Sequence, residues 1–438
     1  MATDARPDGR EDGLLNGPAA DTIFALSSGA PPAGVAVMRI SGPGARGVLE
    51  VLSGAVPSPR LAALRTLRWR DETLDRALIL FFPGPASATG EDVAELHLHG
   101  GRAIVAAVRS ALAELPGLRE AAPGEFTRRA FENGRIDLAE AEGLADLIEA
   151  ETEAQRRQAL ALAGGALSRQ VETWREQVLL LAARIEAALD FADEEDIGDP
   201  FAGFQEGIAA LREDIDAWLA RPPAERLKDG VRVVIAGPPN AGKSTLFNAL
   251  AGREAAIVTP RPGTTRDLIE APVALGGAAF LLIDTAGLRE TGDAIEAIGV
   301  ARARASAQGA DILLWLGPAE QKPGDAILVH AKADLAPTPA EADVAISAIT
   351  GQGLDLLVGL LRAKAGELIV PEGEVALNGR QRQALAAVAA ALLGADNSDA
   401  LIAAEALREA RAALDRVTGR AGVEDMLDML FGRFCIGK

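Results

Sequence analysis

Gly237-Pro-Pro-Asn-Ala-Gly-Lys-Ser244 follows the apolar run Val231-Arg-Val-Val-Ile-Ala236 and leads into Ser244-Thr-Leu-Phe-Asn-Ala-Leu250. The run reads as a buried strand and the continuation as a helix, which gives the strand, turn and helix that a phosphate-binding loop requires. Its glycines let backbone N–H groups curl round phosphate oxygens at a helix N-terminus, where the helix dipole favours an anion. In that frame Lys243 reaches the outer phosphates and the Ser244 hydroxyl is placed to hold Mg²⁺. Asn240, Ala241, Gly242 and Thr245 make up the rest of the nucleotide-facing loop.

Two more motifs follow in the order a nucleotide switch needs. Asp284-Thr-Ala-Gly287 comes after the apolar run Ala279-Phe-Leu-Leu-Ile283, so Asp284 ends a strand at the phosphate edge, where a Mg²⁺-associated aspartate belongs. Thr285 and Ala286 lead to Gly287, whose N–H can swing toward a γ-phosphate. Between the loop and this motif lies Gly263-Thr-Thr-Arg-Asp267, whose Thr265 is suited to complete the Mg²⁺ shell when a triphosphate orders it. The base is read further on. Ile327-Leu-Val-His330 precedes Ala331-Lys-Ala-Asp334, in which Asp334 can accept from guanine N1 and its amino group and Lys332 can lie along the ring. Ala331 stands where Asn is usual, and one lost hydrogen bond of this kind costs about 0.5–1.5 kcal/mol. Ser347-Ala348 is placed for the second base-side loop. GTP is therefore the expected ligand, and an ATPase would require Asp334 to be incidental.

The chain has 438 residues, with 63 acidic against 44 basic side chains and a formal net charge of −19. That balance argues against a surface that coats nucleic acid, so any RNA contact is expected to be local or supplied by a partner. No apolar window reaches the ~18 residues of a membrane span. The charged start, Met1 to Gly13, lacks the apolar core of a secretory signal. A single cysteine, Cys435, rules out an internal disulfide and fits a reducing compartment. A cytoplasmic protein is expected.

Patterning divides the chain. Residues 1–16 read as a disordered tail, and residues 17–135 as an α/β domain with strands at Gly34 to Ile40, Ala77 to Phe82 and Val93 to His99. Residues 136–225 are Ala/Leu/Glu/Arg-rich and helical, and include a helix from Phe204 to Leu219. Residues 226–368 alternate strands and helices after a linker from Pro222-Pro223 to Gly230. Residues 369–438 return to helix, with helices from Arg380 to Leu393, Leu401 to Val417 and Val423 to Phe431. The fold class is thus multidomain: α/β, then a discontinuous all-α domain, with a Ras-like P-loop G domain inserted in it. Long helices cannot bury an apolar stripe alone, so the two helical parts are expected to pack on each other.

In the first domain Glu95, His97 and His99 alternate along one strand and face the same way. A metal site is one reading, although two histidines and a carboxylate on one short strand need ligands from elsewhere to close on an ion. Arg39 and Arg135 read by themselves as surface or capping charges. Cys435, in Phe434-Cys-Ile-Gly-Lys438, reads as a small buried hydrophobe.

The G motifs, together with Gly90-Glu-Asp-Val93, Ala130-Phe-Glu-Asn-Gly-Arg-Ile-Asp-Leu-Ala-Glu-Ala-Glu142 and the C-terminal Phe434-Cys-Ile-Gly-Lys438, resemble the MnmE (TrmE) family of tRNA modification GTPases. The resemblance runs from Asp21 to Lys438. It implies a K⁺ ion held by Asn240 with Thr259, Arg261 and Thr264, lending positive charge to the transition state as an arginine finger does elsewhere. It implies Glu296 as the residue that orients water, with Asp284 and Lys243 as the other catalytic groups. It implies a tetrahydrofolate one-carbon carrier, 5,10-methylene- or 5-formyl-tetrahydrofolate, bound through Arg39, Glu95 and Arg135 in a folate-binding first domain. There a carboxylate can accept paired N–H donors of a pterin and the arginines its carbonyl or glutamyl groups. Lysine is frequent in the family where this chain has Arg135, a change of donor geometry. The tail with Cys435 is implied to approach this site. A homodimer held by the first domains, an FAD-containing MnmG (GidA)-type partner and a tRNA substrate complete the expectation. A regulatory Era-like switch without modification chemistry shares the central motifs, but usually carries a basic RNA-binding domain.

Overall fold

The computed structural model describes residues 21–190, 203–253, 269–284, 309–395, 399–421, 427, 430–432, 434 and 437. By internal contacts the chain divides into one unit of Met1–Ile136 with Val423–Lys438 and a second of Asp137–Gly422.

In the first unit, strands β1 (Thr22–Leu26), β2 (Val35–Ser41), β3 (Ala63–Trp69), β4 (Glu72–Phe82), β5 (Val93–His99) and β6 (Leu118–Glu120) form one sheet in the order β3-β4-β5-β2-β1-β6. All pairs are antiparallel except β1 with β6. Period-two alternation gives each strand two faces. Met38, Ile40, Ile79, Phe81, Ala94, Leu96 and Leu98 are buried in a core shared with helices α1 (Ala45–Ser53) and α2 (Arg102–Ala113). The other face carries rows of residues set directly opposite one another: Leu64, Leu78, His97 and Val37, and beside them Leu80, Glu95, Arg39 and Ala25. At its β1 end, Ile23 and Ala25 are buried with Phe126 of helix α3 (Glu125–Glu132).

The second unit holds two cores. Helices α4 (Leu138–Glu149), α5 (Glu153–Ala163), α6 (Ala166–Asp190) and α7 (Phe204–Ala220) precede the G domain; α11 (Gly379–Leu393) and α12 (Ala400–Thr418) follow it. Breaks between the first of these come at caps: Asp137 with Glu140, and Thr152 with Gln155, form reciprocal capping boxes. One apolar core draws Trp174, Phe204, Ile215 and Trp218 from the first set and Leu385, Leu407 and Leu414 from the second. The indoles of Trp174 and Trp218 meet edge to face at 5.6 Å. The expected mutual packing of the two helical parts is thus found, and the helical domain is discontinuous.

Between its halves, β7 (Val231–Ala236), β8 (Ile269–Leu275), β9 (Ala278–Asp284), β10 (Ile312–Trp315), β11 (Ile327–His330) and β12 (Val344–Ala345) form a sheet in the order β12-β11-β10-β7-β9-β8. It is parallel apart from the hairpin β8-β9. Helices α9 (Lys243–Ala251) and α10 (Leu354–Leu368) share its core. This is the expected Ras-like layout.

The stretch read as a linker after Pro223 contains a short helix, α8 (Ala224–Lys228). By internal contacts the stretch from Val423, at the end of the second helical part, groups with the first unit. There Leu427, Phe431 and Phe434 are buried, and the ring of Phe431 lies 6.3 Å from that of Phe131 and 6.1 Å from that of Phe434. Aromatic burial overrides sequence adjacency. Among the described residues no helix is long and apolar enough to cross a membrane.

Candidate functional site

The phosphate loop leaves β7 at its C-terminal end and closes on Gly242, the N-cap of α9, at φ +101°. Only glycine adopts that value freely, and it turns the first N–H groups of α9 toward the loop's concavity. Asn240 holds φ +61°, a left-handed value that asparagine tolerates better than most residues. Lys243 Nζ donates to the carbonyls of Gly237 and Pro238, both at 2.9 Å. Burial lowers the Lys243 pKa, with the nearby Asp284 charge opposing that shift. Its ammonium is therefore held by two neutral carbonyls that a phosphate can outcompete.

Asp284 is the last residue of β9 and is buried, and the Ser244 hydroxyl donates to its Oδ2 at 2.7 Å. The fold has joined a hydroxyl and a carboxylate from separate motifs, the oxygen donor set that a magnesium ion takes alongside phosphate. Thr245 lies in the first turn of α9.

The base-side loops meet the phosphate loop. Lys332, itself at φ +61°, donates from Nζ to the Asn240 carbonyl at 2.9 Å. Ala333 N–H donates to the Ile346 carbonyl at 2.9 Å, which joins the loop of Asp334 to that of Ser347 and Ala348. Ser347 is buried, and its hydroxyl accepts from Thr350 N–H at 3.2 Å, so it shapes its loop. A cleft of about 390 Å³ beside the phosphate loop is walled by Pro238, Pro239, Leu316, His330 and Lys332. Thr259, Arg261, Thr264, Thr265, Thr285, Ala286, Gly287, Glu296 and Cys435 lie outside the described residues.

In the first unit Arg39 and Glu95 are directly opposite on β2 and β5, and Arg39 donates to Glu95 Oε1 from Nε at 3.0 Å and Nη2 at 2.8 Å. His97 Nε2 lies 3.1 Å from Oε2, so both carboxylate oxygens are engaged. Burial by itself would raise the Glu95 pKa; the His97 hydrogen bond and the Arg39 charge outweigh it and hold the carboxyl below its usual range. The Arg39 guanidinium also lies 5.9 Å from the Phe126 ring centre. Arg135, exposed after α3, bonds elsewhere: its Nε donates to the Ser87 carbonyl at 3.2 Å. His99 takes a different partner from His97, with Nδ1 at 2.7 Å from Asp75 Oδ1. Glu95, His97 and His99 therefore do not converge, and among the described residues no group of three or more His, Cys, Asp or Glu is arranged to hold a metal ion.

The C-terminal tail docks at the end of β1. Ser27 Oγ donates to the Gly437 carbonyl at 2.6 Å, and a Cβ on Gly437 would stand 2.1 Å from the Leu26 carbonyl oxygen. Ser27 N–H donates to the carbonyl of Val37, and Val37 is opposite His97. The roles of His97, Phe126 and Ser27 escape motif reading. Only His97 left a signal, its two-residue spacing from Glu95 on a strand.

The profile described as the MnmE helical domain matches residues 138–435, and that of the GTP-binding protein TrmE N-terminus matches residues 22–135. The tRNA modification GTPase MnmE of Rhizorhabdus wittichii is 62% identical over 427 residues, spanning 96% of this chain and 97% of that protein. The chain belongs to the MnmE family. The MnmE proteins of Erythrobacter litoralis and Zymomonas mobilis are 58% and 51% identical, each spanning 95% of this chain and all of the relative. As an MnmE-family protein with this G domain, the chain is a GTP hydrolase. The two profiles leave only residues 136 and 137 between them, where the contacts also divide the chain.

Proposed function

We propose that the chain is a K⁺-stimulated, Mg²⁺-dependent GTPase that acts with an FAD-containing MnmG-type partner in the cytoplasm. Together they form the carboxymethylaminomethyl or aminomethyl group at C5 of the wobble uridine of tRNA. A tetrahydrofolate derivative supplies the one-carbon unit. Within this chain Lys243 and the N-terminal N–H groups of α9 bind phosphate, Ser244 and Thr265 hold Mg²⁺, and Asn240, with Thr259, Arg261 and Thr264, holds K⁺. Glu296 orients the attacking water, and Asp334 reads guanine. Arg39, Glu95 and Arg135 receive the folate, and Cys435 lies in the tail that borders it.

The observation that supports this reading is that the C-terminal tail, 410 residues on, docks through Gly437 on Ser27, just past the end of β1, the strand whose Ala25 lies opposite Arg39, while Arg39 holds Glu95. Homodimerisation is supported by the sheet face of Arg39 and Glu95, where Val35 is 55% exposed, Leu64 47% and Leu78 45%, apolar side chains that a second copy would cover. The net charge of −19 favours tRNA binding mainly through the partner.

Turnover of GTP in KCl and in NaCl at equal ionic strength tests the G-domain part. The rate should rise in KCl, fall in Asn240→Ala and Glu296→Ala, and equal rates in both salts would remove K⁺ from the mechanism. Calorimetry with 5-formyl-tetrahydrofolate should show binding that Glu95→Ala abolishes. Wobble-uridine analysis of tRNA from cells carrying only that variant should then lack the modified base.

A further inference from the structure

The donors around the Glu95 carboxylate can be counted against what it is able to accept. An ionised carboxylate offers about two acceptor sites on each oxygen. Arg39 sends two N–H groups to Oε1, from Nε at 3.0 Å and from Nη2 at 2.8 Å, which fills that oxygen. His97 Nε2 stands 3.1 Å from Oε2, which keeps one site open. These neighbours hold the carboxyl below its usual range, so at neutral pH it only accepts, and His97 must carry a proton on Nε2.

The two donors are differently placed. Around the carboxylate β2 brings Arg39, β4 brings the aliphatic Leu80 and β5 itself brings His97. Arg39 has a second support in the Phe126 ring, whose centre lies 5.9 Å from its guanidinium carbon, so it can leave Oε1 and still rest over an aromatic face. The cross-strand neighbours of His97 are Leu78 and Val37, both aliphatic. Its side chain is 31% exposed and is turned to Glu95.

We propose that His97 is the positioning residue of this site: it fixes the Glu95 carboxylate through Oε2 while a ligand with two parallel N–H groups takes the place of Arg39 on Oε1. This rests on the reading that Glu95 receives the pterin of a folate. The amino-pyrimidinone edge of a pterin presents such a pair, and a bidentate match needs one free acceptor site on each oxygen. Oε2 has one with His97 in place; Oε1 has none until Arg39 yields a bond. Without the histidine, a carboxylate on a rotatable stem swings with the departing guanidinium, and binding then has to order it again, which weakens affinity.

Calorimetry of the full chain with 5-formyl-tetrahydrofolate tests this with two substitutions. His97→Leu suits the aliphatic neighbours Leu78 and Val37 but donates nothing, and affinity should fall about ten- to thirtyfold, as for a lost hydrogen bond to a charged group. His97→Gln restores a neutral N–H donor and should return affinity to within about threefold of wild type. The acid limb of the binding profile separates positioning from packing. With the hydrogen bond gone, burial raises the Glu95 carboxyl, so His97→Leu should lose binding at a higher pH than wild type does, and His97→Gln should not show that shift. Affinity of His97→Leu within about twofold of wild type, while Glu95→Ala abolishes binding, overturns the role of His97, as does a His97→Gln variant as weak as His97→Leu. If Glu95→Ala binds the folate as wild type does, the reading of the site fails, and the proposal falls with it.

Discussion

Glu95 has a side chain only 16% exposed, with Arg39 on one oxygen and His97 on the other. Its carboxyl is held below its ordinary 4.5, so its contribution to stability is complete above that value and fades as pH falls through the lower folded value. Glu95→Gln should cost about 1.5–3 kcal/mol at pH 7. Urea unfolding followed at pH 7 and again near pH 3 should show that difference narrowing in acid; a gap independent of pH would disprove the ionic role. At the other site, Ala331→Asn returns a side chain able to hydrogen-bond, and GDP affinity should rise by a factor of about two to ten. Much at this scale was legible. Strand alternation put Glu95 and His97 on one face, and loop spacing set Lys243 and Ser244. The Asp75 partner of His99 and the Phe126 ring under Arg39 were not, because the fold, and no local pattern, brings them in.

Helix α8 shows why some elements escape a sequence reading. Five residues after two prolines are far below the length at which an isolated helix holds in water. It persists because neighbours complete it. Gln155 Nε2 donates to the carbonyls of Leu227 and Lys228 at 3.0 and 3.1 Å, Ala224 N–H donates to the Leu377 carbonyl at 3.0 Å, and Arg226 Nε meets Asp311 Oδ1 at 2.9 Å. Gln155→Ala strips two of these bonds together with the side-chain half of the α5 capping box, and should cost about 1–3 kcal/mol, with hydrogen exchange rising over residues 224–230 and at the start of α5. A larger loss is expected at the seam between the helical halves. Glu142 is 11% exposed and accepts from Asn378, from two nitrogens of Arg380 and from Gln381. Removing it in Glu142→Ala leaves the half-buried Arg380 without a carboxylate, held only by the carbonyls of Arg416 and Val417, which should cost about 3–5 kcal/mol in the unfolding of the helical domain.

For the whole molecule, both chain crossings into the G domain pass the same point, since Ala224 N–H bonds Leu377 and Arg226 Nη1 bonds the Leu368 carbonyl at 3.5 Å. Replacing residues 231–368 by a short flexible linker should therefore leave a helical domain that melts cooperatively, read by circular dichroism. Truncation after residue 368 removes half of the core around Trp174 and should not give that transition. Sequence by itself determined the phosphate loop, the strand end that carries Asp284, the loop after β11 that carries Asp334, and the division into α/β and helical segments. Each of those follows from local periodicity and short-range motif geometry. Tertiary structure alone decided that the last residues join the first unit, that Glu95 is doubly held and that α8 exists. Contacts such as Arg39–Glu95, Gln155–Leu227 and Ser27–Gly437, 56, 72 and 410 positions apart, fix those features, and the burial that rewards them leaves no period in the chain.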